Sequence, residues 1–306
     1  MSAPPFSQRN RPKVLKPGDT FGIAAPASPF DKEAFEAGSQ VLRAMGFKLV
    51  VPPDIFDRDG YLAGTDRRRA DQLMRLFSDP GIDGIISARG GYGAMRILTL
   101  LDAAVIARTP KPFVGFSDIT VLLDFLTRRC GMVAFHGPTV TTLGHGDPAT
   151  HERFLSALTT RAPIRLPAEP PRVLSPGRAS GRFCCGNLTL FCHLLGTPFQ
   201  PDFNAAILLV EDRGEAPYRI DRMLTQMRLA GCFDNLAGLA LGTFSQCGSN
   251  TEVDRIVTDR LGDLDIPILG GFPVGHEGTN TTLPVGIAAV LDTASGTLAF
   301  GSPALD

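Results

Sequence analysis

Strand-like and helix-like segments alternate through the first half of the chain, and this alternation restricts the possible folds more than any other feature. Phe21 to Ala25 reads as a strand, amphipathic Lys32 to Met45 as a helix, Phe47 to Pro52 as a strand, and Asp66 to Phe77 as a helix closed by Asp79-Pro80-Gly81. Gly84 to Ala88, Pro112 to Val114 and Met132 to Phe135 supply further short strands, with helical patterns at Ala94 to Leu101 and from Ile119 onward. Parallel strands need long crossovers, and helices provide them. The expected architecture is α/β: an N-terminal doubly wound, mostly parallel sheet domain with helices on both faces, followed by a smaller C-terminal α/β domain. Ligands of such sheets bind beyond the carboxyl ends of the strands.

The second half continues in the same manner. Asn187 to Leu195, Tyr218 to Leu229 and Thr251 to Leu261 read as helices; Ala205 to Val210 and Leu236 to Gly242 read as strands, with others near Ile268 and over Ile287 to Leu291. Between the halves, Ala162-Pro163, Leu166-Pro167, Pro170-Pro171 and Ser175-Pro176-Gly177 crowd proline into one short stretch. Proline fixes φ and removes a donor, so this stretch is expected to be irregular. A chain of 306 residues has room for two domains of roughly 100–150 residues each. The expected division is an N-terminal domain over 1–160, a Pro-rich linker over 161–181 and a C-terminal domain over 182–306.

Charge removes one class of partner. Lys+Arg 30 against Asp+Glu 31 leave a net charge of -1, with no excess to favour nucleic acid or an acidic membrane surface. A small molecule or a peptide fits better. No apolar run approaches the roughly 18 residues of a membrane span. Met1 to Lys16, rich in Pro, Ser and Arg, has no apolar core ahead of a small-residue cleavage site, so a secretory signal is not expected. The default location is the cytoplasm. Cys130, Cys184, Cys185, Cys192, Cys232 and Cys247 lie mostly in apolar stretches and form no paired C-x-x-C motif, which reads as buried thiols of a reducing compartment. No metal cluster is apparent and no cofactor is expected.

Chemistry concentrates first at Val114-Gly115-Phe116-Ser117-Asp118-Ile119-Thr120. An apolar strand runs into a Gly-flanked serine and a helix begins at once, which is where α/β enzymes present a nucleophile with the new helix's free N–H groups beside it. Ile119 stands where the usual G-x-S-x-G motif has its second glycine. The competing reading is that Ser117 or Asp118 merely caps the helix.

A serine nucleophile needs a base, and five histidines are available. His145 and His151 flank a polar loop and read as solvated, while His193 sits in the apolar Leu190 to Leu195 pattern and reads as packed in the core. His136 follows a strand end in the same half as Ser117. His276 lies in the Gly/Pro-dense loop Gly270 to Gly278, the kind of segment that presents functional groups. The residues alone leave His276 and His136 both open. An imidazole base needs an orienting carboxylate. Glu211 ends the apolar run Ile207 to Val210, with Asp212 and Glu215 as close competitors; all of them could equally be a solvated turn. Arg89-Gly90-Gly91-Tyr92-Gly93 follows a strand but lacks the G-x-G-x-x-G spacing of a dinucleotide turn. Gly91 could instead offer an N–H to an oxyanion beside Asp118, and Arg89 could pair with a substrate carboxylate or make an ordinary salt bridge.

Jointly these segments resemble one family, the L,D-carboxypeptidases of the muramoyl-tetrapeptide type, which also includes microcin-immunity hydrolases. The resemblance runs from Gly22-Ile23-Ala24-Ala25-Pro26-Ala27-Ser28 through Arg89-Gly90-Gly91-Tyr92-Gly93, Gly115-Phe116-Ser117-Asp118, Gly186-Asn187-Leu188 and Leu195-Gly196-Thr197-Pro198. It continues through Val210-Glu211-Asp212, Tyr218 to Leu224, Gly275-His276 and Thr282 to Gly286. Each piece is weak alone, and their shared order is specific.

The resemblance implies a triad of Ser117 as nucleophile, His276 as general base and then acid, and Glu211 as its orienter. It implies an oxyanion held by the Gly91 and Asp118 N–H groups, a homodimer, no metal, and release of the terminal D-Ala from a cytoplasmic murein tetrapeptide during cell-wall recycling. Within the family the rival is a microcin-immunity-type hydrolase of peptidyl-aminoacyl nucleotides, disfavoured by a chain with no Trp to stack on a base. Outside enzymes, two α/β domains could form a small-ligand binding protein, although such proteins are usually exported.

Overall fold

A computed structural model describes residues 10–306; of the N-terminal stretch read for a secretory signal, residues 1–9 lie outside the described part. Two compact units result. The first runs to Arg161 and includes Thr281–Val285 and Ala304–Asp306; the second holds Ala162–Asn280 and Gly286–Pro303.

In the first unit the chain forms β1 (Thr20–Ala24), α1 (Lys32–Ala44), β2 (Lys48–Val50), α2 (Asp66–Ser78), β3 (Gly84–Ser87), α3 (Ala94–Ile97), α4 (Ala103–Arg108), β4 (Phe113–Gly115), α5 (Thr120–Arg128), β5 (Ala134–His136), α6 (Val140–Leu143) and α7 (Pro148–Thr159). Helix starts follow capping chemistry: Asp31, Thr65 and Asp147 accept the N–H groups of Ala34, Arg68 and Thr150. The helix expected over Ala94 to Leu101 is shorter, ending at Ile97 and passing into a 3-10 turn over Leu98–Leu100. β2-β1-β3-β4-β5 are parallel neighbours. Strand order reverses between β1 and β3, the switch point at which doubly wound sheets open a crevice at their carboxyl ends. The loop after β1, the Gly-rich loop after β3 and Ser117 after β4 all leave from that edge. Phe21, Ile23, Ile85, Ile86, Phe113, Val114 and Phe135 fill the core beneath them.

The second unit begins with β6 (Ile164–Pro167), β7 (Arg172–Ser175) and β8 (Arg178–Asn187), followed by α8 (Leu188–His193), β9 (Ala206–Arg213), α9 (Pro217–Leu229), β10 (Gly238–Ser245), α10 (Asn250–Leu261) and β11 (Ile268–Gly270). After β12 (Leu283–Val285), which belongs to the first unit, come β13 (Ala288–Asp292) and β14 (Thr297–Phe300). The sheet order is β6-β14-β13-β8-β9-β10-β11-β7, parallel from β8 to β11 and antiparallel outside them. Apolar residues of β9 and β10 pack with α8, α9 and α10 through Phe191, Leu208, Val210, Leu224, Leu241 and Val257.

Two expectations are corrected. Residues 161–181, expected to be an irregular linker, instead build β6, β7 and the start of β8. Because β6 and β7 are the two edges of the sheet, proline's missing donor costs no central ladder bond there. His193, expected in the core, is exposed. The short α8 turns Leu188, Phe191 and Cys192 inward and leaves the next residue on the opposite face. Five of the cysteines are buried and Cys232 is half-buried, all as free thiols; burial pushes the Cys130 thiol up to about 12. Among the described residues no helix is long and apolar enough to cross a membrane.

β12 closes the first sheet antiparallel to β5, with Leu283 opposite His136. Leu283 is fully buried. Leu283→Ala is expected to lower stability by about 2–4 kcal/mol in urea unfolding, although the residue lies far along the chain from the sheet it completes.

Candidate functional site

Ser117 sits where β4 ends. Phe116 is extended, Ser117 adopts φ 62, and a 3-10 turn over Ser117–Ile119 leads into α5. A left-handed serine costs of order 1–3 kcal/mol, and such residues gather at functional sites. It is also the conformation that lifts a hydroxyl clear of a strand-to-helix turn. Gly115 makes the turn possible: a Cβ there would press on Ile119 Cγ2 at 2.6 Å. The Ile119 side chain occupies the space that the missing Cβ of Gly115 leaves.

The Gly-rich loop lies against the nucleophile. A Cβ added to Gly90 would stand 3.0 Å from Ser117 Cβ and 3.2 Å from its Oγ. Ser28, on the loop after β1, ties this segment down: its Oγ accepts the Tyr92 N–H at 2.9 Å and its own N–H reaches Gly90 O at 3.3 Å. Neither the Gly91 N–H nor the Asp118 N–H donates a hydrogen bond among the described residues. The Asp118 side chain does cap a helix, although not the one that it opens. Its Oδ2 accepts the Ala94 N–H at 2.8 Å, at the start of α3. Burial raises the pKa of this carboxyl, while the Ala94 N–H and Arg69 pull it back. Arg89 is exposed, and its Nη1 donates to Pro29 O at 2.7 Å.

In the second unit the structure brings Glu211 and His276 together. Glu211, 0% exposed on β9, accepts His276 Nδ1 on Oε2 at 2.6 Å and Asn187 Nδ2 on Oε1 at 3.2 Å. A carboxylate only accepts, so the imidazole proton is held on Nδ1 and Nε2 becomes the basic nitrogen. The His276 loop reaches this position through Gly275 at φ 133, where a Cβ would strike Thr243 Oγ1 and lie 2.8 Å from Glu211 Oε2. The competitors have other work. Asp212 takes Asn187 Nδ2 at 3.0 Å and both the N–H and Oγ1 of Thr189, at 2.9 and 2.8 Å, tying down the start of α8. Burial raises its pKa, while the hydrogen bonds from Thr189, Arg213 and Asn187 lower it. Glu215 pairs with Arg219 at 3.4 Å. His136 is fully buried on β5, its ring edge-on to Phe116 at 5.9 Å. His145 is exposed, whereas half-buried His151 meets Leu143 O at 2.8 Å through Nε2.

Residues 21–137 match the LD-carboxypeptidase N-terminal domain and residues 180–291 the LD-carboxypeptidase C-terminal domain. The chain belongs to the LD-carboxypeptidase family. It is 40% identical to a Synechocystis sp. relative whose name assigns it provisionally to the carboxypeptidases, over 95% of this chain and 97% of that one. Against the murein tetrapeptide carboxypeptidase of Pseudomonas aeruginosa the identity is 32%, over 88% of this chain and 92% of that one. The family also holds the microcin C7 self-immunity protein MccF of Escherichia coli, 30% identical over 91% of this chain and 92% of that one. A structure of MccF in complex with glutamyl sulfamoyl guanosine matches with a TM-score of 0.90 at 25% identity, covering 97% of this chain and 99% of that one.

For this LD-carboxypeptidase family member, reading the sequence missed Asn187, Thr189, Ser28 and the α3 cap made by Asp118. Ser28, Asp118 and Asn187 stood in the segments that carry the resemblance, without a sign of these contacts; Thr189 carried none, and its partner Asp212 is brought near only by the fold. Asp118→Ala is expected to cost about 1–3 kcal/mol, because the buried Ala94 N–H loses its acceptor. Asp118→Asn keeps an acceptor. Since the folded-state pKa is raised above 3.8, ionisation of Asp118 weakens the native state as pH climbs past 3.8 through the folded value. Urea unfolding should therefore show Asp118→Asn gaining on the parent chain between acid and neutral pH.

Proposed function

We propose that the chain is a serine L,D-carboxypeptidase that removes the terminal D-Ala from murein tetrapeptides, using Ser117, His276 and Glu211 as its triad. The observation that carries this reading is the 2.6 Å bond from His276 Nδ1 to a fully buried glutamate, which is how a base serving a serine is oriented. Ser117 attacks the carbonyl of the L-centre of the diamino acid while His276 Nε2 takes its proton. The N–H groups of Gly91 and Asp118 receive the oxyanion. His276 then protonates the leaving amine, D-Ala departs, and water activated by the same imidazole hydrolyses the acyl-enzyme. Arg89 recognises the terminal carboxylate of the substrate. The same reading makes the protein a cytoplasmic homodimer of cell-wall recycling, working without metal or cofactor.

The likeness to MccF supports a second reading, hydrolysis of a peptidyl-aminoacyl nucleotide by the same serine. Both substrates belong in one assay. Incubation with a disaccharide-tetrapeptide, followed by mass spectrometry, is expected to show loss of one Ala residue, with glutamyl sulfamoyl guanosine left intact. Ser117→Ala and His276→Ala should each lower the rate by roughly 10³-fold or more. Cleavage of the nucleotide analogue alone would favour the second reading, and cleavage of neither would leave the binding-protein class standing.

A further inference from the structure

We infer that Arg69 is a positioning residue for acyl transfer, its buried guanidinium holding the Gly-rich loop so that the Gly91 N–H meets the oxyanion. The inference rests on the serine-hydrolase reading above.

Arg69 lies in the first turn of α2 and is 1% exposed, the largest fully buried side chain of the chain's described part. An arginine so placed must spend its donors inside the protein. Nη1 donates to Gly93 O at 2.9 Å and also to Pro26 O, Nε to Gly64 O at 3.2 Å, and Nη2 to Asp66 at 2.5 Å. The carbonyls belong to separate loops: the one after β1, the one before α2 and the Gly-rich loop after β3. One planar cation therefore joins the segments that border the switch point of the first sheet. Burial lowers its pKa and Asp66 offsets part of that effect.

The contact with Gly93 has a counterpart. Gly93 C=O and Ala94 N–H are the two ends of a single peptide group. Arg69 holds its carbonyl, and Asp118 holds its N–H at 2.8 Å. Asp118 adjoins Ser117, and its own N–H is the second oxyanion donor of the proposed mechanism. Two residues before the clamped peptide stands Gly91, the first donor. The clamp thus fixes the spacing between the donors through one rigid plane. Asp66 braces it further by accepting Arg96 Nε at 3.0 Å, on the helix that begins at Ala94. Oxyanion donors act only where the developing charge appears, and removing one costs about 10²–10³ in rate. A misplacement of about 1 Å approaches that loss.

Lysine preserves the charge without the fork, since one ammonium cannot reach the carbonyls that the guanidinium spans. In full-length Arg69→Lys, kcat is expected to fall about 10- to 100-fold with KM within about twofold of the parent chain. A substrate-like peptide boronate, which forms a tetrahedral adduct on Ser117, should lose affinity by the same factor as kcat/KM. A variant acting only on stability would shift the unfolding midpoint and leave these ratios alone. Should Arg69→Lys fail to fold, Asp66→Asn loosens the same guanidinium from the exposed side, with an expected kcat loss of about 3- to 10-fold and an unchanged KM. The inference is overturned if either folded variant keeps kcat within twofold, or if its whole loss appears in KM while boronate affinity is unchanged. A parent chain that the boronate does not inhibit overturns the serine reading itself, and this inference with it.

Discussion

The first unit is organised around one unfavourable backbone conformation. Ser117 at φ 62 is held in place because β4 delivers it between β3 and β5, Gly115 leaves room for Ile119, and Phe116 is packed against the His136 ring. The Gly-rich loop lies so close to the serine that even a Cβ at residue 90 would be crowded against it. These features are local consequences of a parallel sheet whose strand ends share one edge, and they cost stability that the apolar core offsets.

The second unit solves a different problem, that of placing an imidazole with a defined tautomer. Adjacent carboxylates on β9 divide the work. Asp212 is spent on α8 through Thr189, and Glu211 is left for His276. Asn187 donates to both and keeps two buried acids from facing one another without a donor between them. A bare pair of buried like charges would be expensive; the amide makes the arrangement tenable.

The alternating segments of both sheets were legible because apolar runs bounded by Gly, Pro and Asp mark buried strands whatever their partners are. β6, β7, β8, β12 and β14 were not: four of them have four residues or fewer, and the ten-residue β8, although central in its sheet, opens on the polar, Gly-containing run Arg178 to Arg182 and carries no apolar alternation there. Proline misled at 161–181 because its meaning depends on whether a strand lies at an edge, which sequence does not reveal. The strand-to-helix turn at Ser117 was legible from residues alone, which left nucleophile and helix cap both open. Choosing His276 over His136, and Glu211 over Glu215, needed the family resemblance; the structure pairs Glu211 with His276, buries His136 within the sheet and sets Glu215 beside Arg219. Arg69 carried no sign at all, since in Asp66-Arg67-Arg68-Arg69 it looks like any solvated helical arginine, and only burial separates it from its neighbours.

The central claim is that Ser117 is an activated nucleophile, and covalent capture addresses it most directly. After treatment with a fluorophosphonate at neutral pH, peptide mapping by mass spectrometry is predicted to find a single adduct, on Ser117, that is lost in His276→Ala. An unmodified Ser117, or labelling that persists unchanged without His276, would contradict the account.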